Sequence, residues 1–319
     1  MLITTILYIL FSVAALLFIA RYRKHLKKKR ERRNKETWAI GIYKGTSPIT
    51  LFPPDGISNP ILSAKDVTDI KARFVADPFA IQNQNGNFLF FEVLNDKRNI
   101  GEIAYAYSKD MKQWHYGKVV LKERFHLSYP YVFFSENRCY MIPECNDSGG
   151  IQLYEAKKFP EEWQHIKTLI NSTGRYSALV DPSIIYYQNR WYLFSYAQKS
   201  KNLHLYTAAA LTGPWHEHPK SPIVTNSPHF ARPGGRIIAK ENSMYRYAQD
   251  EIPNYGTKVW AFRITELTEH AYNEEPASDA PVLQPGSEWW NKDGMHTVDL
   301  HQNQSGEWLA FVDGFTIKK

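Results

Sequence analysis

Cysteine is nearly absent from this chain of 319 residues: two are present, Cys139 and Cys145. Two thiols cannot build a disulfide framework, so a small cross-linked scaffold is excluded. A net positive charge is missing outside one segment. The formal net charge is +7, yet residues 1–35 hold ten Lys and Arg and one Glu, which leaves residues 36–319 at −2. A globular nucleic-acid-binding surface is therefore not expected, because the charge that neutralises a phosphate backbone is missing. Also missing are a Walker loop, a GxGxxG turn and a GxSxG elbow. The HEH of 216–218 lacks a third ligand, so neither cofactor nor metal is expected.

One long apolar run is present. Residues 2–20 carry no charge. At about 1.5 Å per residue they reach roughly 28 Å, the thickness of a hydrocarbon core. No basic stretch precedes the run, which speaks against a cleaved signal peptide. Residues 21–37 read as a basic juxtamembrane linker. The positive-inside rule keeps that linker, and the domain after it, cytoplasmic. The expectation is a single-pass membrane protein touching lipid through residues 2–35, with residues 38–319 forming the folded domain.

Aromatic residues are plentiful at 14%, with 20 Tyr and 9 Trp, which favours β structure. The domain repeats itself. ADPFAIQNQNGNFLFFE (76–92), SYPYVFFSENRCYMIPE (128–144) and VDPSIIYYQNRWYLFSY (180–196) share a strand–turn–strand layout. Pro78, Pro130 and Pro182 are 52 residues apart, and Pro233 follows 51 later. A fifth copy spans 296–314, and Trp114, Trp163 and Trp215 recur in phase. A period near fifty with about four short strands per unit marks propeller blades. The predicted fold is an all-β five-bladed β-propeller preceded by one N-terminal transmembrane helix. The spare strand at 38–49 is expected to complete the last blade and so close the ring. Trp289 and Trp290 lie in an insertion after blade four, where they could serve a partner or pack beneath it.

The residues that open each inner strand crowd one mouth of the channel. They are Asp77, Tyr129, Asp181, Arg232, and His296 with Asp299. An Asp before Pro is a common turn residue, but a purely structural turn would recur in every blade. Here the residue changes from blade to blade, as a lopsided ligand site requires. Glu92 and Glu144 end the second strands of blades one and two, and Asp250 holds the comparable place in blade four. A buried carboxyl has a raised pKa and can donate a proton at neutral pH. Asp77, Glu144 and Asp181 are the catalytic candidates. Glu92, Tyr129, Arg232, Asp250, His296 and Asp299 are the substrate-binding ones.

ADPF with NFLFFE, HLSYP with YMIPE, FPEEW, VDPS with WYLFS, LTGPW, ARPGGR and YRYAQD followed by YG carry a family likeness. Over about residues 38–315 the chain resembles the N-terminal domain of glucosamine inositolphosphorylceramide transferase and its bacterial relatives, itself similar to the propellers of glycoside hydrolase family 43. The resemblance implies Asp77 as base and Asp181 as the group that tunes and orients. The hydrolases place their acid where this chain has Arg232, and Glu144 is the stand-in. The expected ligand is a glycan, glycolipid or sugar-derived substrate that is hydrolysed or transferred. The alternative is a non-catalytic glycan-binding or scaffold propeller associated with envelope polysaccharide or glycolipid synthesis.

Overall fold

In a computed structural model, residues 35–172, 178–240, 243–303 and 305–318 are described. The predicted transmembrane helix over 2–20, and all of the basic linker except its last residues, lie outside them. Among the described residues no helix is long and apolar enough to cross a membrane. One compact unit runs from Trp38 to Thr316.

Apolar residues on both faces of short strands leave these sheets nothing to do but stack on one another, and five do so around an axis. Blade one holds Ala72–Asn83, Gly86–Asn95, Ile100–Ser108 and His115–Leu121. Blade two holds Ser128–Ser135, Arg138–Glu144, Gly150–Lys158 and Glu162–Asn171. Blade three holds Leu179–Tyr187, Arg190–Ala197, Asn202–Ala208 and His216–Glu217. Every neighbouring pair is antiparallel, joined by hairpins such as Asn83↔Gly86 and Tyr187↔Arg190.

Blade four is broken at its inner edge. Arg232–Pro233 and Ile238–Lys240 both pair with Ser243–Asp250, which continues into Lys258–Leu267 and Tyr272–Pro276. The break is made by glycine. Gly235 has φ of +149° and bridges Val298 of the next blade, where a side chain would meet the Val298 carbonyl oxygen at 1.8 Å. Blade five is closed by the chain's two ends: Val298–Gln302 and Trp308–Ile317 are completed by Glu36–Ser47 and Thr50–Phe52. The spare strand expected from sequence does what a ring needs and removes the open edge.

The in-phase tryptophans wedge blades together. Each indole N–H donates to a carbonyl three or four residues back, Met111, Pro160 and Leu211. That bond fixes the ring so that Trp114 meets Phe311 of blade five edge-on and Trp163 meets Phe90 of blade one. Trp290 is buried against Gly41, whereas Trp289 is exposed.

Candidate functional site

Three of the four in-phase prolines follow a residue with positive φ: Asp77 at +54°, Tyr129 at +45° and Asp181 at +50°. The residue before proline prefers extended backbone, and left-handed geometry is uncommon outside glycine. The surroundings must therefore impose it, a form of strain that gathers at functional sites. Each of the three coincides with a register shift between the first two strands of its blade. Such a bulge re-aims the side chain, bringing Asp77 and Asp181 to the mouth and sending Tyr129 into the channel.

Asp77 is held from several blades. Its N–H donates to Asp313 Oδ2 at 2.8 Å. Its Oδ1 accepts from Thr297 Oγ1 at 2.8 Å and faces His296 Nε2 at 3.4 Å. Its Oδ2 accepts the Tyr129 N–H at 3.2 Å. The other imidazole nitrogen, Nδ1, lies 2.8 Å from Asp313 Oδ1. Burial pushes Asp77 up to about 6; the His296 charge opposes the rise, while Asp313 and Asp181 add to it. Burial depresses His296, but Asp313 and Asp77 outweigh it and hold the imidazole above its ordinary value.

Donor atoms of Asp77, His296 and Asp313 lie within 4.8 Å of one another, the one such cluster among the described residues. These are the residues that could hold a cation. Yet the imidazole already stands between the two carboxylates and supplies the positive charge there. The arrangement is a self-contained network that orients Asp77.

Glu144, at the mouth end of its strand, accepts from Ser128 Oγ and from the Asn146 N–H, each at 3.0 Å. Burial, and then the Asp181 charge, raise it to about 7, while Asn146, Ser128 and Arg232 pull the other way. Asp181 Oδ2 receives Arg232 Nε at 2.5 Å and Gln249 Nε2 at 3.0 Å. Arg232 also reaches Glu251 at 3.3 Å, with its guanidinium 4.6 Å from the Tyr255 ring centre. Asp181 acts electrostatically on both Asp77 and Glu144, and Arg232 on Glu144 and His296. The mouth thus brings together Asp77, Glu144, Asp181, Arg232 and His296. Glu92, 3.3 Å from His126 Nε2, is near enough for its charge to be felt by Tyr255.

Three expected binding residues sit elsewhere. The Tyr129 ring turns down the channel, with its hydroxyl on Ser183 and the Gly235 carbonyl and its face against Phe79. Asp299 lies deeper, accepting from Arg236 Nε, the Ala80 N–H and His301 Nε2 at 2.6–2.7 Å. Burial works against its charge, but Arg236 and His301 hold the carboxyl below the usual range. Asp250 is tied to His229, the Ile252 N–H and the Trp260 indole. Its neighbour Glu251 is the one that reaches Arg232.

Asp313, Tyr196 and Tyr255 were not found from the sequence. A signal existed for the first two. Glu92, Glu144 and Tyr196 are successive steps of 52 on second strands, opposite Ala76, Ser128 and Val180. Asp313 fills the comparable place in blade five. Tyr255 sits in the loop between the second and third strands of blade four, longer than its counterparts in blades one to three, and gave no periodic signal.

The five-bladed propeller is a fold that this chain shares with solved glycoside hydrolases. A family 117 glycoside hydrolase from the marine bacterium Zobellia galactanivorans superposes with TM-score 0.54 at 14% identity, over 87% of this chain and 90% of that one. A thermostable family-43 glycoside hydrolase superposes with TM-score 0.55 at 14% identity, over 82% of this chain and 92% of that one. At such identity the likeness concerns the fold alone. Sequence goes further: residues 31–315 match the family described as glucosamine inositolphosphorylceramide transferase 1, N-terminal, and the chain belongs to that family. The rice (Oryza sativa subsp. japonica) protein named glucosamine inositolphosphorylceramide transferase 1 is 36% identical over 301 residues, 87% of this chain and 40% of the rice protein. Its Arabidopsis thaliana namesake is 30% identical over 304 residues, 88% of this chain and 39% of that protein. The chain thus spans about two fifths of the length of the curated relatives it matches.

Proposed function

We propose that the propeller mouth takes a glycosyl unit of a glycan or glycolipid, and that Asp77 and Glu144 act there as base and acid of a glycosyl hydrolysis or transfer. One observation carries this reading: two buried carboxyls on neighbouring blades, both raised towards neutrality, share Asp181 as an anionic neighbour. With Asp77 at about 6 and Glu144 at about 7, the first is mostly ionised at neutral pH while the second still holds much of its proton. Glu144 gives that proton to the leaving glycosidic oxygen as its bond to the anomeric carbon breaks. The attacking hydroxyl, of water or of an acceptor sugar, forms the new bond and loses its proton to Asp77. His296 and Thr297 fix the Asp77 carboxylate, and Asp181, braced by Arg232 and Gln249, keeps Glu144 protonated. The carbohydrate-named relatives and the hydrolase-like fold support the substrate class.

The test is release or transfer of sugar from extracted glycans and glycolipids by the full chain. Asp77→Asn lowers turnover about 10²–10⁴-fold, the range of a lost general base, and Glu144→Gln does the same for leaving groups that need protonation. Unaltered turnover in Asp77→Asn removes the mechanism. Binding without turnover in the wild type shifts the reading to a glycan-binding propeller.

Anchoring to the inner face of a membrane belongs to the same proposal and is supported by the apolar run 2–20 and the basic residues that follow. Protease added to intact cells should spare the propeller; its digestion from outside overturns the orientation.

A further inference from the structure

The acids of the mouth are shut in. Asp77 is 5% exposed, Asp181 3% and Glu144 7%. So little of each acid is open that access to the cup is set by what lies over it. The residues over the cup identify the moving part. Tyr255 lies 4.6 Å over the Arg232 guanidinium and meets His296 edge-on at 5.2 Å. The Trp38 ring centre lies 6.3 Å from its own, so Tyr255 spans the cup from Arg232 to His296 and Trp38, and its hydroxyl feels the charges of Arg232, Asp77, Asp181 and Glu92. That hydroxyl makes no hydrogen bond to any described residue, so nothing in the propeller pins it.

We propose that the loop from Glu251 to Thr257 is a lid over the acid cup, with Tyr255 as the covering side chain and the Arg232–Glu251 ion pair as its latch. The proposal rests on the mouth being the ligand site.

The loop is built to pivot. Its ends are tied: the Glu251 N–H donates to the Pro228 carbonyl at 2.9 Å and the Thr257 N–H to the Asp250 carbonyl at 3.1 Å. Asp250 is the post. It holds His229, the Trp260 indole and the Ile252 N–H, all at 2.9–3.2 Å. Between the tied ends, no backbone N–H of residues 254–256 donates to another described residue, and Ile252 is exposed. Segments with few backbone bonds to their surroundings open at low free energy, and mouth loops of this kind commonly gate a site. Gly256 completes the device. Its φ is +72°, and a side chain there would meet the Trp38 ring at 2.7 Å, so glycine alone lets the loop lie flat against Trp38. The latch is Glu251, whose carboxylate takes Arg232 Nη1 at 3.3 Å and the Tyr196 hydroxyl at 2.8 Å. A ligand that draws Arg232 towards itself weakens that bond, so binding and opening are coupled. Asp250, a ligand candidate by sequence, is thereby given a positioning role.

The full chain is labelled with a water-soluble carbodiimide and glycine ethyl ester at pH 6, and the modified peptides are counted by mass spectrometry. No sugar is needed, so the outcome does not depend on whether turnover is found. Tyr255→Ala and Glu251→Gln each raise labelling of Asp77 and Glu144 about tenfold or more, as expected for exposing protected groups. Tyr255→Phe, which keeps the ring, leaves both rates near wild type. Asp299, buried in the channel away from the loop, is the internal control and does not change. Equal labelling of Asp77 and Glu144 in the wild type and in both opening variants overturns the lid. So does a rise at Asp299 that keeps step with theirs, because it signals general loosening.

Discussion

Arg232 and Arg236 stand four residues apart in one motif, ARPGGR, and each pairs with a buried aspartate of another blade. The resemblance ends at the charges around each carboxylate. Arg236 gives Nε to Asp299 and Nη2 to the carbonyls of Ala80 and Val132, at 3.2 and 3.0 Å. Asp299 in turn accepts from Arg236, Ala80 and His301, so it lies between two basic side chains and four blades are stapled at the middle of the channel. Arg232 gives Nε to Asp181 and Nη1 to Glu251, and the carboxyls beside it, Asp77 and Glu144, each face the Asp181 charge. Around it, Asp77 and Glu144 are held above their ordinary pKa, whereas Asp299 is held below its own. Burial is common to both places, so burial does not separate structure from chemistry here. The sign of the neighbouring charge does. Cations on both sides fix Asp299 in its charged form, and a shared carboxylate neighbour leaves Asp77 and Glu144 poised to trade protons.

The sharpest way to break this contrast is to remove each cation in turn and measure unfolding by denaturant. Arg236→Met strands a fully buried carboxylate and two carbonyls and should cost about 3–5 kcal/mol. Arg232→Met leaves Asp181 with its bond from Gln249 and Glu251 with its bond from the Tyr196 hydroxyl, and should cost less, about 1–2 kcal/mol, while abolishing ligand binding. Equal stability losses would mean that the two pairs do the same job.

That distinction was invisible in the sequence. The period of 52 made the five blades legible, because each blade needs the same strands and turns and the prolines mark the inner strands of four of them. It also made the mouth legible as far as phase reaches: Asp77, Asp181, Glu144, Arg232 and His296 do meet there. Phase places a residue at a level of the wheel and says nothing about its partners. Asp299, two residues beyond the opening turn of its strand, is bound from Ala80, 219 residues away, a pairing no local pattern announces. Asp250 and Glu251 are neighbours, and alternation sends one into the post of a loop and the other to Arg232. Tyr255 escaped because its loop is longer than those at the same place in blades one to three, so the residue has no in-phase partner.

The smallest effect is the most diagnostic, since turnover and stability should move in opposite senses at one residue. In the wild type, turnover rises as Asp77 loses its proton near pH 6 and falls as Glu144 loses its own near pH 7, giving a narrow bell. A carboxyl whose folded pKa lies above its unfolded value costs the fold stability as the pH climbs from the unfolded pKa to the folded one. Glu144 therefore weakens the fold progressively from about pH 4.5 to about pH 7, and the loss is complete above that. Glu144→Gln keeps the shape: its amide oxygen can accept the Asn146 N–H and its NH2 can donate to Ser128 Oγ, but the charge is gone. The variant should lose turnover together with the alkaline limb of the bell. It should also gain about 1–2 kcal/mol of stability at pH 8 relative to wild type, with the difference vanishing below about pH 4.5. Unfolding curves at the two pH values decide it. A variant less stable than wild type at pH 8 would make Glu144 a structural anchor satisfied by Ser128 and Asn146, of one kind with Asp299 after all.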